Sequence, residues 1–306
     1  MELKPRLEVL KRNKWRYLAM VIGFFLLVAP FAFLTQGIFL AIGNTSTATI
    51  HSFCYRSPFD QFTNAVVSGN FAVIVISVSA WLVLVVLMVA VFAGPLFCGY
   101  MCPVGSVSEA VSRLTPLPNK WRIRIKNTKV TRSIRFGFLA GFLAVALIVG
   151  QKMSTDVASI CCRYCTSTTV QNFSTALMTG DASVIGYWSS ATLIVLISYL
   201  IIGGIFFVGG RGWCLFFCPL GAVSGLAHAG GAKAGLYKTS YIGPNCKSCQ
   251  KCTVNCPMQA IGTDREVEQT LCIGCHECVN NCNFDAYEYK RGKEPKKPTG
   301  GEGGAS

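Results

Sequence analysis

The sequence predicts a membrane α-helical fold of four transmembrane helices in two parallel two-helix repeats, followed by a small cysteine-rich α+β domain. Apolar residues make up 52% of the 306 residues and charged residues only 14%, whereas about a quarter of a typical soluble domain is charged. Such a chain cannot cover its surface with polar groups, which predicts lipid as part of its solvent. Eight of the 16 cysteines crowd into residues 246–282 at short, fixed spacings.

Four apolar runs are long enough, or nearly so, for the roughly 20 residues that a bilayer span needs. They are Trp15–Ile42, Phe71–Gly94, Ile134–Gly150 and Tyr187–Gly209. The first is longer than the apolar core of a signal peptide and has no convincing cleavage site after it, which predicts a retained anchor. The predicted organisation is therefore a basic N-terminus at 1–14 and a transmembrane domain at 15–223.

The basic residues flank these runs and form no stripe interleaved with aromatic residues, which argues against nucleic acid as a partner despite the net charge of +14. Because cytoplasmic loops collect lysine and arginine, both termini are predicted to be cytoplasmic in a multi-pass inner membrane protein. The flanking residues lie before the first run and between the second and third: Lys4, Arg6, Lys11, Arg12, Lys14 and Arg16, then Arg113, Lys120, Arg122, Arg124, Lys126, Lys129, Arg132 and Arg135.

The second and fourth runs are each followed by the same motif. Cys98-Gly-Tyr-Met-Cys102-Pro-Val-Gly is repeated as Cys214-Leu-Phe-Phe-Cys218-Pro-Leu-Gly. Two copies in one orientation predict a pseudo-twofold axis along the membrane normal, so these four cysteines are expected to approach one another at the cytoplasmic end. They are candidate metal or cluster ligands, and the alternative is that the motif shapes a tight helix exit around its proline.

A connector at 224–245 leads to the cysteine-rich domain at 246–289, and residues 290–306 are predicted to be a disordered tail. The domain carries two Cys-x2-Cys-x2-Cys-x3-Cys motifs, the spacing of two-cluster ferredoxins, in which the fourth cysteine of each motif ligates the other cluster. The predicted ligands are Cys246, Cys249, Cys252 and Cys282 for one [4Fe-4S] cluster, and Cys272, Cys275, Cys278 and Cys256 for the second.

Thiolates are the soft anionic ligands that iron–sulfur cubanes require. Zinc also binds paired cysteines, but two complete sets with the crossed spacing favour clusters. The second motif ends in Asn283 where the first has Pro257; the proline shapes the turn and is not a ligand, so both clusters are expected.

The remaining cysteines lie in the two predicted outer loops. Cys54, Cys161, Cys162 and Cys165 could form disulfides, hold an additional outer centre or remain free thiols, and their even number does not distinguish these possibilities. Histidine occurs only as His51, His228 and His276, none of them inside an apolar run, so a b-type haem held by two membrane histidines is not expected.

This combination of apolar runs, paired CxxxCP motifs and a two-cluster module resembles the NapH/MauN group of ferredoxin-type membrane proteins over roughly residues 12–290. The resemblance implies quinol dehydrogenase activity in an electron-transfer subunit of a larger oxidoreductase, with quinone as substrate and periplasmic or membrane redox subunits as partners. It implies electron transfer through the eight module cysteines and a redox role for the CxxxCP cysteines. The cysteines of the outer loops depart from the pattern of the nitrate-reductase members, which implies either a different redox partner or an extra centre.

The leading hypothesis is thus a membrane-bound iron–sulfur subunit that exchanges electrons between the quinol pool and a redox partner. One alternative is a maturation factor that delivers electrons or handles metal for a periplasmic metalloenzyme. Another is a redox-sensing regulator, against which the absence of a recognisable signalling domain argues.

Overall fold

A computed structural model describes residues 11–28, 77–150, 165–180 and 194–292, with residues 37, 40, 41, 53, 61, 62, 65, 69 and 70. Its α-helices are α1 (Lys14–Leu27), α2 (Val78–Ala93), α3 (Pro103–Leu114), α4 (Thr128–Gly150), α5 (Thr166–Thr179), α6 (Gly212–Phe216), α7 (Pro219–Lys233), α8 (Lys251–Asn255) and α9 (Glu277–Asn280). Two π-helical segments, Phe97–Met101 and Ile197–Phe206, and two 3-10 turns, Asn119–Trp121 and Gly243–Asn245, complete the helical elements. Strands β1 (Tyr237–Tyr241) and β2 (Tyr287–Arg291) form an antiparallel pair.

None of the helices in these described residues combines the length and the apolar character needed to cross a bilayer. The predicted four transmembrane helices, and with them the multi-pass inner membrane location, are wrong on this finding. Helices α1 and α2 have 14 and 16 residues, and the 23-residue α4 carries Lys129, Arg132 and Arg135 in its first turns. Parts of the predicted spans, at 29–36, 71–76 and 187–193, lie outside the described residues.

The two CxxxCP motifs have the same local structure. In each, a short helical segment carries the first cysteine, the second cysteine caps the next helix in an extended conformation, and proline occupies that helix's first turn. Proline restricts the residue before it to extended conformations, and its lack of an N–H costs nothing in a first helical turn. The sequence of the motif thus determines the sharp change of direction at Cys102 and Cys218.

The predicted connector is largely ordered structure. Residues 219–233 form α7, and β1 pairs with β2 from Tyr237 opposite Arg291 to Tyr241 opposite Tyr287. The cysteine-rich module therefore begins at β1, before its first cysteine. Tyr-Lys-Thr-Ser-Tyr contains two tyrosines and a threonine, residue types that are enriched in strands, and a prediction based on glycine, alanine and lysine content misses this signal.

The module packs directly against the helical region. Leu215 and Phe216 of α6 form one buried cluster with Met258, Leu271 and Ile273 of the module. Phe207, Cys98 and Cys214 pack around the same cluster. Through this apolar contact, both CxxxCP motifs lie beside the module.

A buried glutamine side chain reinforces the contact. Gln259 donates from Nε2 to the carbonyl oxygens of Ile123 (3.2 Å) and Val208 (3.4 Å), and its Oε1 accepts from the backbone N–H of Ile125 (2.8 Å). Buried backbone groups need such partners. The glutamine thus provides hydrogen bonds to backbone groups of two chain segments that come together there.

Candidate metal centres

The first four-cysteine group, here called the surface set, consists of Cys246, Cys249, Cys252 and Cys282. All four line one cavity of about 230 Å3. Cys249 is exposed and the others are half-buried. The cavity rim is basic, with Arg124, Lys126, Lys247, Lys251 and Arg265 among its lining residues.

The second group, the inner set, consists of Cys256, Cys272, Cys275 and Cys278. They line a separate, smaller cavity of about 20 Å3, walled by Met258, Ile273 and other apolar residues. The structure therefore brings the eight cysteines together in the crossed grouping that their spacing predicts, with Cys256 and Cys282 exchanged between the motifs.

The two cysteine loops have left-handed residues at the same positions. Successive residues that alternate between right- and left-handed conformations form an anion-binding nest of N–H groups. A left-handed residue other than glycine costs of order 1–3 kcal/mol and is typical of functional sites. The left-handed residues occur at equivalent places in the two motifs: Ser248 (φ 59°) and Gly274 (62°), Gln250 (57°) and His276 (56°), Gln259 (49°) and Asp285 (50°).

Hydrogen bonds to sulfur repeat in the same way. The N–H of Ala260 donates to Cys256 Sγ at 3.3 Å, and the equivalent N–H of Ala286 donates to Cys282 Sγ at 3.4 Å. In addition, Arg265 Nη1 donates to Cys246 Sγ at 3.3 Å. Donors of this kind stabilise an anionic thiolate and tune a bound metal group.

The two sets differ in electrostatic environment. Burial raises the pKa of Cys256 to about 12 and that of Cys272 to about 11, and the neighbouring Cys275 thiol adds to both shifts. In the surface set, hydrogen bonds, first from Tyr241 and also from Arg265, lower the pKa of Cys246. Thiolate formation is thus easier at Cys246 than at Cys256 or Cys272.

A third group, the repeat set, consists of Cys98, Cys102, Cys214 and Cys218 from the two CxxxCP motifs. Burial raises the pKa of Cys98 and Cys218 to about 12, and each is raised further by the nearby Cys102 thiol. All six pairs in the group are close enough for electrostatic interaction. The structure thus brings together the four cysteines that the internal repeat predicts to meet.

A buried ionic network lies between the inner set and the repeat set. Glu109 of α3 accepts from Arg16 (2.7 Å), Arg113 (2.9 Å) and Arg211 (2.8 Å). Glu277, between two inner-set cysteines, accepts from Arg16 and Arg113, both at 2.5 Å. Burial alone would raise the pKa of Glu109, but the three arginines outweigh it and hold the pKa well below its usual range.

The same network touches the first CxxxCP motif. Arg16 Nε donates to the carbonyl oxygen of Gly99 at 3.1 Å, and Arg211 Nη1 donates to that of Cys98 at 2.5 Å. Sequence reasoning missed these residues as site components and interpreted Arg16, Arg113 and Arg135 as loop charges that orient a membrane protein. The available signal was the placement of Glu109 and Glu277, one shortly after a CxxxCP motif and the other inside the second cysteine motif.

Most of the remaining predicted ligands cannot be placed. Cys54, Cys161 and Cys162 lie outside the described residues, and Cys165, a free thiol, precedes α5. The outer centre and the alternative disulfides therefore stay predictions. Within the described part of the chain, no three histidine, cysteine, aspartate or glutamate side chains are arranged to hold a single metal ion.

Comparison with known proteins identifies the two CxxxCP regions as a known type of domain. A family described as "4Fe-4S binding domain" matches residues 74–124 and 191–236, each stretch containing one CxxxCP motif. The ferredoxin-type protein NapH of Haemophilus influenzae is 24% identical over 67% of this chain and 66% of its own length. NapH of Escherichia coli is 23% identical over 90% of this chain and 89% of its own length.

The family match and these relatives support a ferredoxin-type protein similar to NapH. The uncharacterized protein MJ0750 of Methanocaldococcus jannaschii is also similar, at 28% identity over 67% of this chain and 76% of that protein. No solved structure matches the chain. The protein is thus a ferredoxin-type iron–sulfur protein of the electron-transfer kind.

The residues at the two module cavities fit iron–sulfur clusters. Each cavity offers four thiols, which is the ligand set of a [4Fe-4S] cluster. The nests of N–H groups and the N–H···S hydrogen bonds suit an anionic cluster. A bound cluster would supply a one-electron couple, and this chain's own residues would fix its position and tune its potential.

Proposed function

We propose that this protein carries electrons between a quinol and a redox partner protein, using [4Fe-4S] clusters held by the surface set and the inner set. The observation that carries the proposal is the grouping of eight cysteines into two four-thiol cavities within one module. Each residue contributing a thiol is one that the ferredoxin spacing assigns to that cavity.

The two cavities are close enough for direct exchange. Both sets pack around one small group of buried hydrophobic residues, Ile261, Ala286 and Tyr287. The surface set contributes Cys246, Cys252 and Cys282 to this contact, and the inner set contributes Cys256 and Cys278. Two iron–sulfur clusters separated by so few side chains would exchange electrons directly, without a conformational change.

The surface set is the proposed exchange point with the protein partner. Cys249 is exposed, and five lysine and arginine residues line its cavity. A basic rim attracts an acidic partner and increases the rate of encounter. The inner set faces α6 and the ionic network, so electrons from the quinol would pass through the inner set to the surface set and from there to the partner.

The quinol as the small-molecule reductant is supported by the resemblance to the NapH/MauN group. The test is anaerobic mixing of the oxidised, cluster-loaded chain with duroquinol while the visible absorption of the clusters is followed. We expect bleaching in the wild-type protein and its loss in a Cys249→Ala, Cys275→Ala variant that lacks one ligand from each set. Clusters that are bleached by dithionite but not by duroquinol would contradict the quinol assignment and leave the electron carrier intact.

A protein free of iron and sulfide after anaerobic isolation and reconstitution would contradict the whole proposal. Iron and acid-labile sulfide should be counted on the same samples used for the quinol reaction. At least about eight irons and eight sulfides per chain are expected from two cubanes.

A further inference from the structure

The residue after the second cysteine lines the cavity in both motifs of the module. His276 follows Cys275 in the inner set, as Gln250 follows Cys249 in the surface set. His276 lines the inner cavity and Gln250 lines the surface cavity. Both have a left-handed backbone, with φ angles of 56° and 57°. The same motif position therefore borders both sites, and at the inner set it carries an imidazole ring.

One ring nitrogen of His276 is hydrogen-bonded and the other is not. Its Nδ1 lies 2.9 Å from the hydroxyl oxygen of Tyr100, a residue of the first CxxxCP motif. Its Nε2 is buried and has no hydrogen-bond partner among the described residues. Because a buried polar atom without a partner is costly, Nε2 is expected to find one in a group bound at the inner cavity.

The contact with Tyr100 determines which nitrogen of His276 carries the hydrogen. A neutral imidazole has a single N–H, and the hydrogen bond made by one nitrogen fixes the character of the other. When the tyrosine hydroxyl donates to Nδ1, the ring hydrogen is on Nε2, which is then an N–H donor. The opposite tautomer would place the lone pair of Nε2 in a site lined by anionic sulfur, which is unfavourable. The arrangement therefore suits an anionic group at the inner set.

The first CxxxCP motif lies close against the inner-set loop, which holds Tyr100 at the ring. A Cβ at Gly99 would lie 2.6 Å from the carbonyl oxygen of Ile273 and 3.5 Å from the backbone nitrogen of Cys275. The glycine thus permits this approach of the two backbones. In the second CxxxCP motif, Phe216 occupies the position of Tyr100 and lies in the apolar cluster. The motif itself therefore does not require the tyrosine hydroxyl.

A second tyrosine contacts the imidazole ring without a hydrogen bond to it. The rings of Tyr289 and His276 have their centroids 4.3 Å apart. The Tyr289 hydroxyl instead donates to the carbonyl oxygen of Ala93 at 2.7 Å. Tyr289 therefore fixes the ring by packing, whereas Tyr100 also determines its hydrogen-bonding state.

We propose that His276 donates a hydrogen bond from Nε2 to the [4Fe-4S] cluster of the inner set, and that Tyr100 is the positioning residue that fixes this donor. The inference rests on the proposed function, because it requires a cluster at the inner set. An N–H···S hydrogen bond favours the reduced cluster, which is the more negative form, and so raises its potential. The first CxxxCP motif, part of the matched 4Fe-4S domain, thereby adjusts the potential of the neighbouring module.

The test is a redox titration of the reconstituted full chain, in which the inner centre is the one that Cys275→Ala removes. His276→Leu should lower its potential by about 59 mV, a tenfold change for one electron, and His276→Gln, which supplies another N–H donor, should recover part of this shift. Tyr100→Phe should lower the same potential. The matched control Tyr289→Phe also removes a hydroxyl beside the ring and should leave the potential unchanged. The surface centre should keep its potential in all of these His276 and tyrosine variants.

Iron counts on the same samples separate this inference from the proposed function. An inner potential that is equal in wild type and His276→Leu, with at least about eight irons in each, would overturn the inference and leave the proposed function standing. Equal shifts in Tyr100→Phe and Tyr289→Phe would overturn the role of Tyr100, because packing would then explain both. Wild type with fewer than about eight irons would overturn the inference and the proposed function together.

A measurement on wild type does not depend on the folding of a variant. The chain has three histidines, which can be labelled with nitrogen-15 in the ring alone. Pulsed electron paramagnetic resonance of the reduced, labelled protein should show a weak coupling between a cluster and a ring nitrogen, and His276→Gln should abolish it. A wild type without such a coupling, or a coupling that persists in His276→Gln, would overturn the inference.

Discussion

The surface set and the inner set have the same cysteine spacing and the same left-handed loop residues, but their surroundings are opposite. The surface set lies in an open cavity with Cys249 exposed and a basic rim. The inner set lies among core residues, with Cys275 only 8% exposed. A single cysteine pattern thus occurs once at an exposed, basic surface and once within the hydrophobic core, so the motif alone does not determine the surroundings of the site.

The largest difference between the two sets is expected when one cysteine of each is replaced. Cys249→Ala and Cys275→Ala are each expected to lose about four irons. The Cys275 variant should also lose thermal stability beyond that, because its side chain packs with Leu271, Ile273 and Met258 and metal binding is coupled to folding. Iron counting and thermal unfolding of the two variants give the comparison, and equal melting temperatures would show that the inner set is not part of the core.

The buried network beside the inner set should contribute more stability than any surface ion pair. Glu277→Gln leaves Arg16 and Arg113 with one carboxylate fewer in a buried site, which is expected to cost about 3–5 kcal/mol of unfolding free energy. The control Glu288→Gln breaks a pair with Lys290 whose side chains are 43% and 50% exposed, at a cost of about 0–1 kcal/mol. Denaturant unfolding measures both, and similar values for the two variants would count against a structural role for the network.

The basic rim should affect electron exchange at the surface set alone. Lys247→Glu with Lys251→Glu is expected to slow oxidation of the reduced protein by an anionic cobalt chelate by roughly tenfold or more at low salt and to accelerate oxidation by hexaamminecobalt. Salt should shrink both effects, since exposed charges are screened over about 10 Å at 0.1 M ionic strength. Stopped-flow rates test this. Lys233→Glu, an exposed lysine outside the cavity lining, should leave the rates unchanged.

The smallest effect is expected from a single hydrogen bond. Arg265→Gln removes the Nη1 donor to Cys246 Sγ and should lower the potential of the surface cluster by on the order of 59 mV, a tenfold change for one electron. The inner cluster should not change. A redox titration that shows both potentials lowered equally would mean that the arginine acts on the whole module.

The grouping of the module cysteines around two cavities follows their spacing in the sequence, while their role as cluster ligands stays a prediction. Exchange of Cys256 and Cys282 between motifs and the meeting of the two CxxxCP motifs both follow from local spacing and repeat symmetry, and the structure brings these residues together. In contrast, the burial of Arg16 and Arg135 and the ion pairs of Arg113 depend on tertiary contacts that the sequence does not reveal. A charged residue next to an apolar run has the same sequence signature whether it lies at an interface or inside an ionic network.

The lengths of the helices were harder to predict than the cysteine grouping, because an apolar run shows the composition of a segment and not where its helix begins and ends. The apolar runs contain most of helices α1, α2 and α4, but α1 ends at Leu27 and α2 begins only at Val78, so both helices are shorter than the runs. Strand β1 was missed because its pairing partner, β2, lies about 50 residues further along. Long-range pairing of this kind leaves little trace in a five-residue segment.

The hydrogen bonds of the Gln259 side chain affect how the protein responds to proteolysis and to heat. Its amide joins Ile123, Ile125 and Val208 to the module, so the module is attached to the helices by more than the peptide link after α7. A protease cut near Gly235, where the backbone turns with φ 84°, should leave two fragments that migrate together until denaturant is added. The small iron–sulfur module of this protein is therefore not a detachable shuttle, and heating should melt it and the helices in one cooperative transition.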